Sequence, residues 1–131
     1  MSAVVDSSIW VSFFAKDNNF KIACTYLKRI KNHQIVLPEL IYCEVMISLH
    51  KLSVDESVIR KAENYFLKDL QVEFANLDTN FMFKKMPKYF KKCKAKTSDL
   101  MIIAFAIDIN AAKFYTLDKK QLNYFYECKR T

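Results

Sequence analysis

Four carboxylates in this chain stand where an ionised group is costly or where a strand ends: Asp6, Glu44, Asp99 and Asp118. Asp6 follows the apolar triplet Ala3-Val4-Val5. Glu44 has Leu40, Ile41, Ile47 and Ser48 as its helical neighbours, which places it inside an apolar stripe. Asp99 precedes eight consecutive apolar residues, Leu100 to Ile107, and Asp118 closes the short run that follows them. An ionised carboxylate in an apolar stripe costs several kcal/mol unless a basic group or a metal partners it. Carboxylates gathered at one place repel unless hard cations sit between them. Mg2+ and Mn2+ prefer such oxygen ligands and keep waters for substrate phosphate. With a basic rim, a site of this kind suits phosphodiester cleavage. Lysines hold the backbone while the metal activates water and stabilises the leaving oxygen.

The elements around the acids must bring them to one edge. The stretch from Asp99 to Ile109 is apolar on every face, which predicts a helix buried on all sides and about 16 Å long. Ser98 suits its N-cap, leaving Asp99 in the first turn, where the helix dipole favours a carboxylate. Asn110 can take the left-handed position that ends the helix. Lys113–Leu117 then reads as a strand. A helix that returns into a parallel strand starts at the edge where that strand ends. Asp99 and Asp118, nineteen positions apart, therefore share the carboxyl edge of the sheet, where open α/β sheets bind ligands.

Earlier in the chain, Ala3-Val4-Val5 predicts a strand, and Ile9, Trp10, Phe13 and Phe14 recur at helical spacing after Asp6. A helix over Phe20–Lys31 leads into a strand over Gln34–Leu37. Pro38 suits the first turn of a helix from Glu39 to about Leu49. Glu44 lies about one and a half turns into that helix and leans towards its N-terminus, again the carboxyl edge. Leu52–Leu70 predicts a helix, with Ser53 and Glu56 as a capping box. Val72–Leu77 predicts a strand, Asp78 or Thr79 opens a helix that Pro87 interrupts, and Tyr124–Cys128 predicts a final edge strand. The length predicts a single domain over residues 1–131, large enough for a core.

Each feature also has a purely structural explanation. Asp6 can be an N-cap and Glu44 can be half of a buried ion pair. The lysine-rich run from Lys84 to Lys96 can be a solvated face. That run holds seven lysines in thirteen residues (Lys84, Lys85, Lys88, Lys91, Lys92, Lys94 and Lys96), interleaved with Tyr89 and Phe90, and it feeds directly into Ser98-Asp99. Lys119 and Lys120 add charge beside Asp118. The net charge of +7 points towards a polyanion. The absence of glycine excludes the P-loop and the dinucleotide-binding fingerprint and leaves turns to asparagine: Asn18-Asn19, Asn32, Asn76 and Asn110. Four widely spaced cysteines without a CxxC pair predict reduced, mostly buried thiols rather than zinc ligands. With no signal peptide and no apolar run long enough for a membrane span, a soluble cytoplasmic protein is expected.

Taken in order, the motifs resemble those of PIN-domain proteins, specifically the VapC toxins, over nearly the whole chain. V-V-D-S-S-I-W at residues 4–10 resembles the first motif, with Asp6 the metal-site acid and Ser7 its hydroxyl neighbour. L-P-E-L-I-Y-C-E-V at 37–45 resembles the second, with Glu44 the matching glutamate. S-D-L-M-I-I-A-F-A at 98–106 resembles the third, with Asp99, and Y-T-L-D at 115–118 the fourth, with Thr116 in support and Asp118 completing the site. The resemblance implies a PIN-like sandwich, a central parallel sheet of about five strands flanked by helices. It also implies a Mg2+- or Mn2+-dependent endoribonuclease, an RNA substrate held by the lysines, a VapB-type antitoxin partner and a homodimer. One departure stands out: where many relatives carry another acid two residues after the fourth aspartate, this chain has Lys120. That implies a second metal held weakly, or held only with substrate phosphate. Competing readings are a housekeeping nuclease of RNA maturation and a PIN-like binding module without catalysis. A phosphatase or receiver-type domain is disfavoured because D-S-S at Asp6 lacks paired aspartates.

Overall fold

The structure, a computed structural model, describes residues 1–69 and 71–130. Four parallel strands form one sheet: β1 (Ser2–Val5), β2 (Gln34–Pro38), β3 (Val72–Ala75) and β4 (Lys113–Tyr115), in the order β3-β2-β1-β4. Ala3, Val4 and Val5 are fully or almost fully buried, as befits a strand paired on both sides. The helices are α1 (Ser7–Ala15), α2 (Phe20–Arg29), α3 (Glu39–Lys51), α4 (Glu56–Lys68), α5 (Thr97–Asp108) and α6 (Lys119–Lys129). Between β3 and α5 lie a π-helical turn, Phe81–Lys85, and a 3-10 turn, Met86–Tyr89, with Pro87 at the start of the latter. No helix among the described residues is long and apolar enough to cross a membrane.

This strand order sets the site. After β1 the chain moves to one side for β2 and β3, and only β4 lies on the other side. The reversal point is therefore between β1 and β4, and a crevice opens there beyond the strands' carboxyl ends. The register pairs Val5 with Tyr115, so the next residues, Asp6 and Thr116, meet in that crevice. The Asp6 amide donates to the Tyr115 carbonyl at 2.8 Å and fixes the junction.

The core ties α1 to the end of β1. Trp10 is fully buried, its Nε1 donates to the Val5 carbonyl at 3.1 Å, and its ring meets Phe66 edge-on with centroids 5.0 Å apart. Tyr65 and Phe14 complete the ring cluster between α1 and α4. In α5, Leu100 and Ile102 to Ala106 are all buried, as the apolar run requires, and the helix packs on α6 and on the 81–89 turns. Its end is a Schellman motif. Asn110 has φ 54°, its amide donates to the Ile107 carbonyl, and the Ala111 amide donates to that of Ala106.

Several elements differ from the sequence-based expectation. Tyr124–Cys128 is not an edge strand but part of α6, so the sheet has four strands rather than about five. The local aromatic run favours a strand, but Gln121, Phe125 and Cys128 are buried together at helical spacing, and Asp118 caps the helix. Lys96, not Ser98, occupies the N-cap of α5, and Asp99 remains in its first turn. The Ser53–Glu56 capping box does not form: Asp55 precedes α4 without a side-chain cap, and Ser53 itself is left-handed with φ 53°. Lys16 is the third left-handed residue, so among the expected asparagines only Asn110 takes that conformation. No disulfide joins cysteines among the described residues; Cys93 and Cys128 are buried, Cys24 is half-buried and Cys43 is exposed. The expected helical end at Leu70 lies outside the described residues.

Candidate metal centre

Asp6 is both a helix cap and a buried acid. Its Oδ2 accepts from the Ser8 amide at 3.3 Å, the Ser8 hydroxyl at 2.9 Å and the Thr116 hydroxyl at 3.1 Å. The carboxylate is only 5% exposed, so these bonds hold it in a single orientation. Thr116 is itself held: its Oγ1 accepts from the Asp118 amide and lies 3.1 Å from Gln121 Oε1. One hydroxyl proton cannot serve both Asp6 and Gln121. Turning the Gln121 amide over lets Nε2, otherwise buried without a partner, donate to Thr116 while Thr116 donates to Asp6. Sequence reasoning identified Thr116 but missed Ser8 and Gln121. Ser8 lies two residues past the Asp6 cap, the position a carboxylate cap reaches, and its hydroxyl also accepts from the Leu117 amide at 3.0 Å.

Glu44 comes to this centre from α3. Burial, then the negative charges of Asp6 and Asp99, push its pKa up from 4.5 to about 7, and a hydrogen bond with Ser7 offsets part of that. Its Oε1 is buried and has no hydrogen-bond partner. Neither ion pair among the described residues, Arg60–Glu56 and Lys85–Asp108, involves Glu44, so the ion-pair explanation of this acid does not hold. Asp99, half-buried in the first turn of α5, is raised by burial and by the charges of Asp6 and Asp118, with Lys96 opposing. Asp118 is exposed, and its Oδ1 accepts from the Lys120 and Gln121 amides at 2.9 and 3.4 Å. Charges from two helices, α3 and α5, and from two strand–helix junctions thus act on one another.

The donor chemistry fits a hard divalent cation. Asp6 and Asp99 act on Glu44, Asp6 and Asp118 act on Asp99, and one oxygen, Glu44 Oε1, is buried without a hydrogen-bond partner. Among the described residues no three Asp, Glu, His or Cys side chains close around a single point. Magnesium is ordinarily held by one or two carboxylates, with waters completing its octahedron. The arrangement therefore suits water-mediated binding rather than an all-protein cage. A polar cleft of about 410 Å3 opens beside it, lined by Ser7, Ser8, Ser12, Asp17, Ser48 and Asp118. A larger apolar cavity of about 600 Å3, lined by Phe13, Phe14, Phe20, Val58 and Tyr65, lies on α1 and α4 and includes none of the four acids.

The lysines of the 84–96 run, with Lys119 and Lys120, are all exposed. Lys85 is paired with Asp108 at 3.2 Å, and Lys88 lies over the Tyr89 ring. Lys96 is the member of the run that acts directly on an acid of the centre.

A pH prediction follows from Glu44. A carboxyl raised on folding contributes stability that is complete below its unfolded pKa and is lost as pH rises through its folded value. The window is therefore pH 4.5 to about 7. The full shift corresponds to about 3 kcal/mol, which partial exposure discounts to about 1–2 kcal/mol. In chelator, Glu44→Gln should gain that much over the wild type between pH 4.5 and 8 in urea melts. A pH-independent difference would show that Glu44 is not repelled in the folded protein.

The PIN domain family model matches residues 3–125. Comparison with curated protein sequences finds no match. Among solved structures, the fold is similar to that of Mycobacterium tuberculosis VapC20, described as a Sarcin-Ricin loop cleaving toxin. Identity is 14%, the TM-score is 0.70, and the match covers 92% of this chain and 93% of that one. It is also similar to a chain of Rickettsia felis VapBC2 bound to a DNA fragment from their promoter. There identity is 19%, the TM-score is 0.69, and coverage is 95% of this chain and 93% of the other. The family match spans the sheet and all four acids, and the four-stranded parallel fold agrees with it: this chain belongs to the PIN-domain family.

Proposed function

We propose that this protein is a Mg2+- or Mn2+-dependent endoribonuclease of the VapC toxin type, acting as one nuclease domain, working as a homodimer and held inactive by a VapB-type antitoxin. The observation that carries the reading is Glu44: a carboxylate of α3 with a buried oxygen that has no hydrogen-bond partner, raised by burial and by the charges of Asp6 and Asp99. Such an acid destabilises the fold unless a cation joins it. The similarity in fold to a toxin that cleaves the sarcin-ricin loop and to the VapBC2 complex supports RNA as substrate and an antitoxin as partner.

Asp6, Glu44, Asp99 and Asp118 would hold the cation. When bound, it supplies a water activated at neutral pH and charge to stabilise the leaving oxygen. The chain's own residues prepare for this. Ser8 and Thr116 orient Asp6, Ser7 orients Glu44, and the α5 dipole supports the charge on Asp99. Lysines beside the crevice hold the phosphate backbone. The test is incubation of purified protein with RNA in Mg2+, Mn2+ or chelator. Cleavage that needs either cation is expected; RNA left intact in all three conditions overturns the proposal.

The lysine run makes its own prediction. Lys88, Lys91 and Lys92 are exposed and outside the Lys85–Asp108 pair. Replacing all three with alanine should weaken binding to unrelated RNAs about equally and flatten the slope of log K against log[salt] by roughly 2. An unchanged slope would make the run a solvated face and move the RNA path elsewhere.

A further inference from the structure

The segment between β3 and α5 is built in two opposing sets of side chains. Phe81, Met86, Tyr89 and Cys93 are buried and anchor it, Phe81 packing on Phe105 of α5 with ring centroids 6.0 Å apart. Phe83 and Phe90 face the other way and are 78% and 57% exposed. Phe90 stands within a run of seven lysines and Phe83 immediately before it, and residues 83–96 include no acid. The segment also has a direction. Lys85 binds Asp108 at the last residue of α5, and Lys96 precedes its first residue and acts on Asp99. It therefore runs the length of a 12-residue helix, about 18 Å, towards the acids.

We propose that Phe83 and Phe90 are base-stacking residues of this basic track: lysines grip the RNA backbone and the two rings receive unpaired bases. This rests on the RNA-cleaving reading and adds the residues that discriminate unpaired from paired RNA. Lysine contacts to phosphate are blind to pairing, whereas a base must leave its duplex stack before an aromatic ring can receive it. Exposed rings between lysines are the arrangement with which single strands are held, and the absence of acids along the track suits a polyanion better than a mixed-charge protein surface.

The test is binding of a labelled, unstructured 12-nucleotide RNA and of a 12-base-pair RNA duplex, measured in chelator so that neither is cut. Phe83→Ala and Phe90→Ala should each weaken single-strand binding about 5- to 150-fold, leave duplex binding within about twofold, and leave the salt slope unchanged because no charge is lost. Phe90→Trp should restore single-strand binding. Equal losses on both RNAs, or no loss, would overturn the proposal. So would conversion of a dimer to a monomer by these variants, seen in sedimentation, with RNA affinity falling only alongside it; the rings would then form a contact between copies. The two readings fail separately. A protein that never cuts RNA yet shows the ring-dependent preference loses only its nuclease assignment. One that cuts RNA but ignores both alanine variants loses only the stacking residues.

Discussion

Replacing Asp99 with asparagine is expected to cut RNA cleavage by two orders of magnitude or more, roughly the loss that follows removal of one electrostatic contact to a reacting group, while RNA binding is kept or strengthened. The substitution preserves shape and removes one charge from the start of α5. Asp99 is half-buried and raised by Asp6 and Asp118, so its negative charge is unwelcome to the metal-free fold. Asparagine should therefore fold at least as well as aspartate, which makes a loss of cleavage attributable to chemistry. Binding survives because the lysines are untouched and a charge that repels phosphate has gone. In cells, the toxin reading predicts growth arrest by the wild-type protein expressed alone and tolerance of the Asp99→Asn form. Equal toxicity of the two would refute cleavage at this centre as the cause. A harmless wild type that cleaves RNA in vitro would favour a housekeeping nuclease, and one that leaves RNA intact in Mn2+ would favour a binding module.

The parts of this fold legible in the sequence are those written in local pattern. The apolar run after Asp99 reads as a buried helix, and Leu100 and Ile102 to Ala106 are buried, with Met101 and Ile107 half-buried. Asn110 reads as its end because a left-handed residue without glycine favours asparagine. The strand order does not follow from such patterns. Nothing local says that β4 pairs with the far side of β1, yet that pairing puts Thr116 beside Asp6. Tyr124–Cys128 shows the opposite failure. Its aromatic residues fit a strand locally, and only the burial of Gln121, Phe125 and Cys128 on one face reveals a helix. The candidate acids stood out because burying or clustering carboxylates is costly, and cost leaves a trace in residue choice. Ser8 and Gln121 left none, since a hydroxyl and an amide are unremarkable until their partners are known.

The centre thus carries opposing demands. Hydrogen bonds fix Asp6 in place, while burial and then repulsion raise Glu44 and Asp99; Lys96 opposes the rise at Asp99 without forming an ion pair with it. Sites that keep such groups trade stability for function.

That opposition predicts the second large effect. A cation that binds the folded protein and not the unfolded chain stabilises by mass action, about 2.7 kcal/mol at a hundred times its Kd. For a chain of this size the corresponding rise in melting temperature is about 10 °C. Mg2+ and Mn2+ should each produce it at pH 8, and less at pH 6, where Glu44, with its pKa near 7, is mostly protonated and competes with the metal. The triple variant Asp6→Asn, Glu44→Gln, Asp99→Asn should lose the rise altogether. Without metal at pH 8 it should lose the repulsion as well, although Asp6→Asn also takes the charge out of the hydrogen bonds that Ser8 and Thr116 donate to Asp6, so the metal-dependent difference is the clean measure rather than the absolute melting temperature. NaCl at matched ionic strength separates site binding from general screening, because screening would act on the wild type and the triple variant alike. A metal-dependent rise of the same size in the triple variant would place the cation elsewhere on the molecule, and with it the proposed source of catalysis.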